Sequence, residues 1–289
     1  MLRIIKKIIK KIISLPIIFG YEVIIRKHKS VVDKKYSYEI SGDFKILKTI
    51  KGMLDTEGLQ LFQFISKLTP ANNEPVLEVG VFCGRSLLAL GCAFKKSQIV
   101  GVDPFFKDFY DSPAFNDEAR YLSIVSGGLA RKERIDIIYK TAEILDKKNN
   151  TNLKNRLKLE EKTQEQFLNS RDRSHKYKVV HIDGEHTYDA VTEIIDSFDD
   201  LLYESSFVIV DDILNPGFPG IAEAVFRHPI FKKNLFPLFY GFNKGVFIFK
   251  PPSMDFIKET VHTLLKLYPD NLYDKRNLHD GSIEVSQRY

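Results

Sequence analysis

From residue 75 onward the chain is a succession of short apolar runs separated by helical stretches, and that alternation points to an α/β sheet. The runs that read as strands are 75–79, 98–102, 134–139, 178–182 and 207–210. Helices are expected at 86–94 and 187–202. Two further runs, 238–242 and 245–250, are separated only by Asn243-Lys244, a turn short enough for an antiparallel pair at the sheet edge. A lysine-rich stretch, 144–176, reads as a solvated insertion, and 33–74 as a helical lead-in. Within that lead-in Asp55 or Thr56 can cap a helix whose Leu59, Leu61, Phe62, Phe64, Ile65 and Leu68 form one apolar face, with Pro70 ending it. Residues 251–289 read as a helical tail.

With 289 residues, 44% of them hydrophobic, the chain has enough apolar material for a substantial core. Its two cysteines, Cys83 and Cys92, form neither a disulfide framework nor a Cys-x-x-Cys pair, which fits a reducing compartment. The net charge of +5 is unevenly placed: residues 1–32 carry eight basic residues against Glu22 alone, while the remainder holds 35 basic and 37 acidic residues. A protein that grips nucleic acid keeps its basic surface on the folded domain, so this division argues against a nucleic-acid partner and for a cationic appendage on an enzyme-like body.

That appendage opens with pairs of Ile alternating with pairs of Lys at a spacing of four, one greasy and one cationic helix face. Its longest uncharged run, residues 12–21, is interrupted by Pro16 and falls short of the ~20 residues a spanning helix needs. Residues 1–20 are therefore expected to lie on an anionic bilayer, peripheral on the inner membrane face of a cytoplasmic protein. The competing readings are a secretory signal, which lacks a small-x-small cleavage site here, and a helix packing on this chain or a second copy in a homo-oligomer.

Two stretches carry chemistry. The first strand runs into Leu77-Glu78-Val79-Gly80-Val81-Phe82-Cys83-Gly84-Arg85-Ser86, a glycine turn opening onto a helix. Such a turn at the carboxyl end of a parallel strand locates a ligand crevice. Phe82 stands where a dinucleotide site needs a glycine, and Gly84 is followed by Arg85-Ser86 instead of Lys-Ser/Thr, so a pyrophosphate or P-loop reading is weakened. Asp103, ending the second strand, sits where a carboxylate can accept both hydroxyls of a ribose, and a nucleoside without pyrophosphate follows as the ligand. Phe105, Phe106, Phe109 and Tyr110 come next and are candidates to close over its base.

The Glu-x-Gly-x-x-x-Gly turn with the later Asp resembles the cofactor motifs of class I S-adenosylmethionine-dependent methyltransferases. The resemblance implies a Rossmann-like fold, a mostly parallel seven-stranded sheet with a C-terminal antiparallel hairpin and helices on both faces, over residues 75–250. It implies cofactor contacts at Glu78, Gly80, Gly84, Ser86 and Asp103.

The second stretch is the pair of strand ends Asp183-Gly184-Glu185-His186 and Asp211-Asp212. Carboxylates ending neighbouring parallel strands converge on one rim, and three of them need a counter-charge, for which magnesium with oxygen ligands is the expected ion. Glu185 is expected to point away and His186 to turn back over the site as the general base, with His181 packed or hydrogen bonded behind it. This block resembles the metal-dependent bacterial O-methyltransferases of the macrolide-sugar and cephalosporin-tailoring group. The resemblance implies a magnesium ion on Asp183, Asp211 and Asp212, and a sugar, glycolipid or natural-product hydroxyl as acceptor. An Asp pair stands here where those relatives often have Glu-Asp. Two other functions stay open at this level: a membrane-associated cofactor-binding protein without catalysis, and a metal-dependent hydrolase or hydroxylase built on the same acids. The run Asn215-Pro216-Gly217-Phe218-Pro219-Gly220 beside the rim reads as a substrate gate or a rigid connector.

Overall fold

The structure, a computed structural model, describes residues 42–69, 73–106, 125–268 and 273–287. The cationic appendage, Pro70, Phe109, Tyr110 and most of the loop after Asp103 lie outside the described residues. Among the described residues no helix is long and apolar enough to cross a membrane.

The lead-in forms α1 (Gly42–Leu47) and α2 (Thr56–Leu68). Asp55 caps α2, its side chain accepting from the Gly58 amide at 2.7 Å, a cap worth about 1 kcal/mol. The first β–α unit follows as β1 (Val76–Val79) and α3 (Arg85–Ala93), and then β2 (Ile99–Val102). Next come α4 (Arg131–Asn149), α5 (Leu153–Arg156), β3 (Leu157–Glu160) and α6 (Gln164–Ser170). The chain continues through β4 (Tyr177–Ile182), α7 (Tyr188–Asp196), α8 (Phe198–Leu201), β5 (Leu202–Asp211) and α9 (Pro219–Arg227). It closes with β6 (Leu235–Gly241), β7 (Lys244–Phe249), α10 (Met254–Leu267), β8 (Tyr273–Asn277) and β9 (Ile283–Gln287).

The strands form one sheet in the order β3-β2-β1-β4-β5-β7-β6-β9-β8. Strands β1 to β5 are parallel, β7 runs antiparallel to both β5 and β6, and β9 returns parallel to β6. Side chains alternate across the sheet. Val76, Ile99, Val179, Phe207 and Ile209 join one core with Leu61, Phe62, Leu87 and Ile138, contributed by α2, α3 and α4. Leu77, Val100, Val180 and Val208 join the other with Val191, Ile194, Ile221 and Val225 of α7 and α9.

Several expectations are corrected. The run 134–139 is helical: Ile138, Ala142 and Leu145 are buried at a helix's spacing, and Glu133 accepts from the Ala130 amide at 2.8 Å to start the helix. Isoleucines suit a strand locally, but packing of this face on α3 decides. The third strand lies instead inside 144–176, where Leu157–Glu160 pairs with β2, so that stretch is part of the fold and not an insertion. Lastly, the sheet has nine strands, not seven, because the tail is helical only through α10 and then adds β8 and β9. The helix expected over 187–202 is interrupted at Ser197 into α7 and α8.

Candidate active site

Strand order reverses between β1 and β4, the position where parallel α/β sheets open a ligand crevice. The two β–α turns that flank the crevice touch. Gly80, at φ +90°, leaves room for the Asp183 carbonyl: a Cβ built on it would lie 1.8 Å from that oxygen. Three non-glycine residues in the left-handed region, Phe82, Phe105 and Asp212, follow the ends of β1, β2 and β5. Strain of this kind collects at functional rims.

Asp103 braces the glycine turn. Its Oδ2 accepts from the Val81 amide at 3.0 Å and the Phe82 amide at 2.8 Å, and its Oδ1 from the Phe105 amide at 2.6 Å. An ionised carboxylate has roughly four acceptor positions, and these amides take three of them. Burial raises the Asp103 pKa, while those amides and Arg134 pull it down. Arg134, 1% exposed, reaches from α4 to donate to the Phe106 carbonyl at 2.7 Å and stands 5.6 Å from the centre of the Phe105 ring. Ser86 lies buried in the first turn of α3.

Below the rim a polar row crosses the sheet on the face covered by α2. Register pairs Glu78 with His181 and Asp211 with Lys244, all four sharing that face by alternation. Glu78 and His181 are fully buried and hydrogen bonded across 2.7 Å between Oε1 and Nδ1. Burial, reinforced by the Asp183 charge, pushes the Glu78 carboxyl well up. Burial also holds the His181 imidazole neutral, down at about 3, with Lys244 acting in the same direction. The Phe62 ring of α2 meets the His181 ring edge-on at 5.1 Å. Glu78 Oε1 thus has a protein partner below the crevice.

At the top, His186 turns back over the site. Its Nε2 lies 3.7 Å from Asp183 Oδ1 and 3.6 Å from Asp212 Oδ2, and the Phe218 ring packs against the imidazole at 4.5 Å. Glu185 is exposed. Asp212 is held through Oδ1, which accepts from Asn215 Nδ2 at 3.0 Å and from Asn243 Nδ2. Burial and the charge of Asp211 push the Asp183 carboxyl up to about 6, against the pull of His186.

The expected magnesium ligands do not converge. Asp211 Oδ2 is taken by Lys244 Nζ at 2.5 Å and its Oδ1 by the Asp212 amide at 2.9 Å. Among the described residues, the side chains whose ligand atoms lie within 4.8 Å of one another are Glu78, His181 and Asp183. Two of these are already bonded to each other, and an imidazole suits magnesium poorly. The donor set therefore does not fit the ion expected on Asp183, Asp211 and Asp212.

Lys244, expected in the turn, instead opens β7 as the one charged residue of that strand. Asn215 and Phe218 fall in the glycine- and proline-rich run expected beside the rim, whereas Arg134 and Asn243 have no local signal that ties them to the site.

A parallel sheet with a glycine turn and an acidic, histidine-bearing turn in contact at its switch point defines a Rossmann-like α/β fold with a ligand crevice at that point. Residues 77–213, just under half of the chain, match a family model described as a methyltransferase domain. Residues 77–213 are accordingly similar to a methyltransferase domain. Among solved structures it is similar to cofactor-bound Rv0187 from MTB, at 11% identity and a TM-score of 0.49 over 78% of this chain and 100% of that one. It is also similar to the O-methyltransferase NovP, at 13% and 0.48 over 68% and 81%. A third is the O-methyltransferase from Bacillus cereus in complex with SAH, at 11% and 0.48 over 75% and 94%. No curated protein matches the sequence.

Proposed function

We propose that the chain moves the methyl group of S-adenosylmethionine to a hydroxyl of a small-molecule or glycan acceptor, a sugar, glycolipid or natural product, with His186 as general base. The observation that carries this reading is the contact of the two turns at Gly80 and Asp183, which brings a donor site and a proton-accepting site to one edge of the sheet. Bound S-adenosylmethionine supplies a sulfonium methyl that needs no activation. The chain's own residues do the rest: Gly80, Gly84 and Ser86 form the turn under the donor, and Asp103 braces that turn while offering its remaining lone pair to a ribose hydroxyl. His186 Nε2 takes the acceptor proton, and Asp183 and Asp212, one on either side of it, favour the imidazolium that results. No step is routed through magnesium. The reading also includes contact of residues 1–20 with an anionic membrane surface.

Calorimetry with S-adenosylmethionine, followed by assays of S-adenosylhomocysteine release over a panel of sugar and glycolipid alcohols, tests the proposal. Replacing His186 with Ala is expected to leave cofactor affinity in place and lower turnover by about 10²–10⁴. A wild-type chain that binds no cofactor rejects it.

A further inference from the structure

We propose that the ammonium of Lys244 is the permanent counter-cation of the acidic rim, standing in for a divalent ion at Asp211. The proposal deepens the methyl-transfer reading and rests on it for the chemistry of the rim, though not for the placement of the lysine.

The placement follows from the sheet. Lys244 opens β7 directly opposite Asp211 of β5 in the antiparallel register, so both side chains emerge on the same face. Nζ lies 2.5 Å from Asp211 Oδ2, and the lysine is 4% exposed. Its side chain is enclosed from above by α2: a Cβ built on Gly58 would sit 3.4 Å from Lys244 Cε. A buried ammonium is tolerated only when carboxylates face it. Here Asp211 and Asp183, with Asp55 at the cap of α2, more than offset the desolvation and hold the lysine charged.

The same pair answers what the acids need. Three carboxylates at one rim require positive charge, and a divalent ion is the usual supply. At Asp211 that ion would have to displace an ammonium at contact distance, and the remaining Asp211 oxygen accepts the Asp212 amide. Asp212 offers Oδ2 alone, since Oδ1 accepts from two asparagines. The chain thus carries its cation covalently. Lys244 touches no reacting atom in this scheme and is a positioning residue: it fixes Asp211 and tempers the field in which His186 takes the acceptor proton.

The test reads ion binding by the full chain. Titrated with Mn²⁺ and followed by paramagnetic resonance, the wild type is expected to leave the ion free at millimolar concentration, and its S-adenosylmethionine affinity is expected to be the same in EDTA and in Mg²⁺. Lys244→Met is expected to bind one Mn²⁺ at least tenfold more tightly than the wild type. Lys244→Met combined with Asp211→Asn, which removes both charges, is expected to return to the wild-type result. Stoichiometric Mn²⁺ binding by the wild type that Asp211→Asn abolishes overturns the proposal. So does a Lys244→Met chain that melts as cooperatively as the wild type and binds no Mn²⁺. If that variant does not fold, the wild-type titration decides alone. Absence of cofactor binding, in contrast, removes the methyl-transfer reading and leaves the ion result to be judged by itself.

Discussion

At the scale of single residues, the site depends on atoms that are absent as much as on those present. Gly80 works by lacking a side chain: its positive φ disfavours any L-residue by about 1–2 kcal/mol, and a methyl group there would strike the Asp183 backbone. Gly80→Ala is therefore expected to lower stability by more than about 2 kcal/mol in urea denaturation, with cofactor binding weakened as the two turns part. An alanine variant with an unchanged midpoint would show that the turns do not depend on each other. The motif residues Gly80, Gly84, Asp103, Asp183 and His186 were all legible in the sequence, because turn chemistry and strand ends are local. The partners of Asp103, Asp211 and Asp212 were not, since amides of another turn and asparagines 3 and 31 residues away are brought in by folding.

At the scale of elements, helix and strand identity was readable where period and caps agreed and misread where they did not. Helix α2 was expected from its cap and its apolar face, and it forms as read. The run 134–139 has the isoleucines of a strand, yet its apolar spacing continues as a helix through Leu145, and the longer pattern prevails. Strand β3 is too short and too charged, Leu157-Lys158-Leu159-Glu160, to announce itself; as an edge strand it buries little and pairs only with β2. The Ile/Lys element at residues 1–20 lies outside the described residues, and its proposed role has its own measurement. Deleting residues 1–20 is expected to release the chain from anionic vesicles in a flotation assay, with neutral vesicles binding neither form. Equal flotation of the two forms would dispose of the membrane role.

At the scale of the whole molecule, the buried polar row makes stability depend on pH. His181 is neutral in the fold, with its pKa lowered from 6.5 to about 3, whereas the unfolded chain takes up a proton near the ordinary value. Between those values the unfolded state binds more protons, so the His181 contribution is complete above about 6.5 and is lost as pH falls toward 3, with a slope of up to about 1.4 kcal/mol per pH unit. Chemical denaturation from pH 7 to 4 is expected to show this loss, and His181→Phe, which has no proton to gain, is expected to flatten it relative to the wild type. An equal slope in both would place the acid sensitivity elsewhere. The sequence by itself determined the parallel α/β core, the glycine turn and the acid- and histidine-bearing strand ends, because alternation, caps and turns are written in neighbouring residues. Only the tertiary structure decided the nine-stranded sheet, the edge position of β3 and the pairing of Lys244 with Asp211. Those depend on register between strands distant in sequence, and register sets which charges share a face and which must neutralise one another.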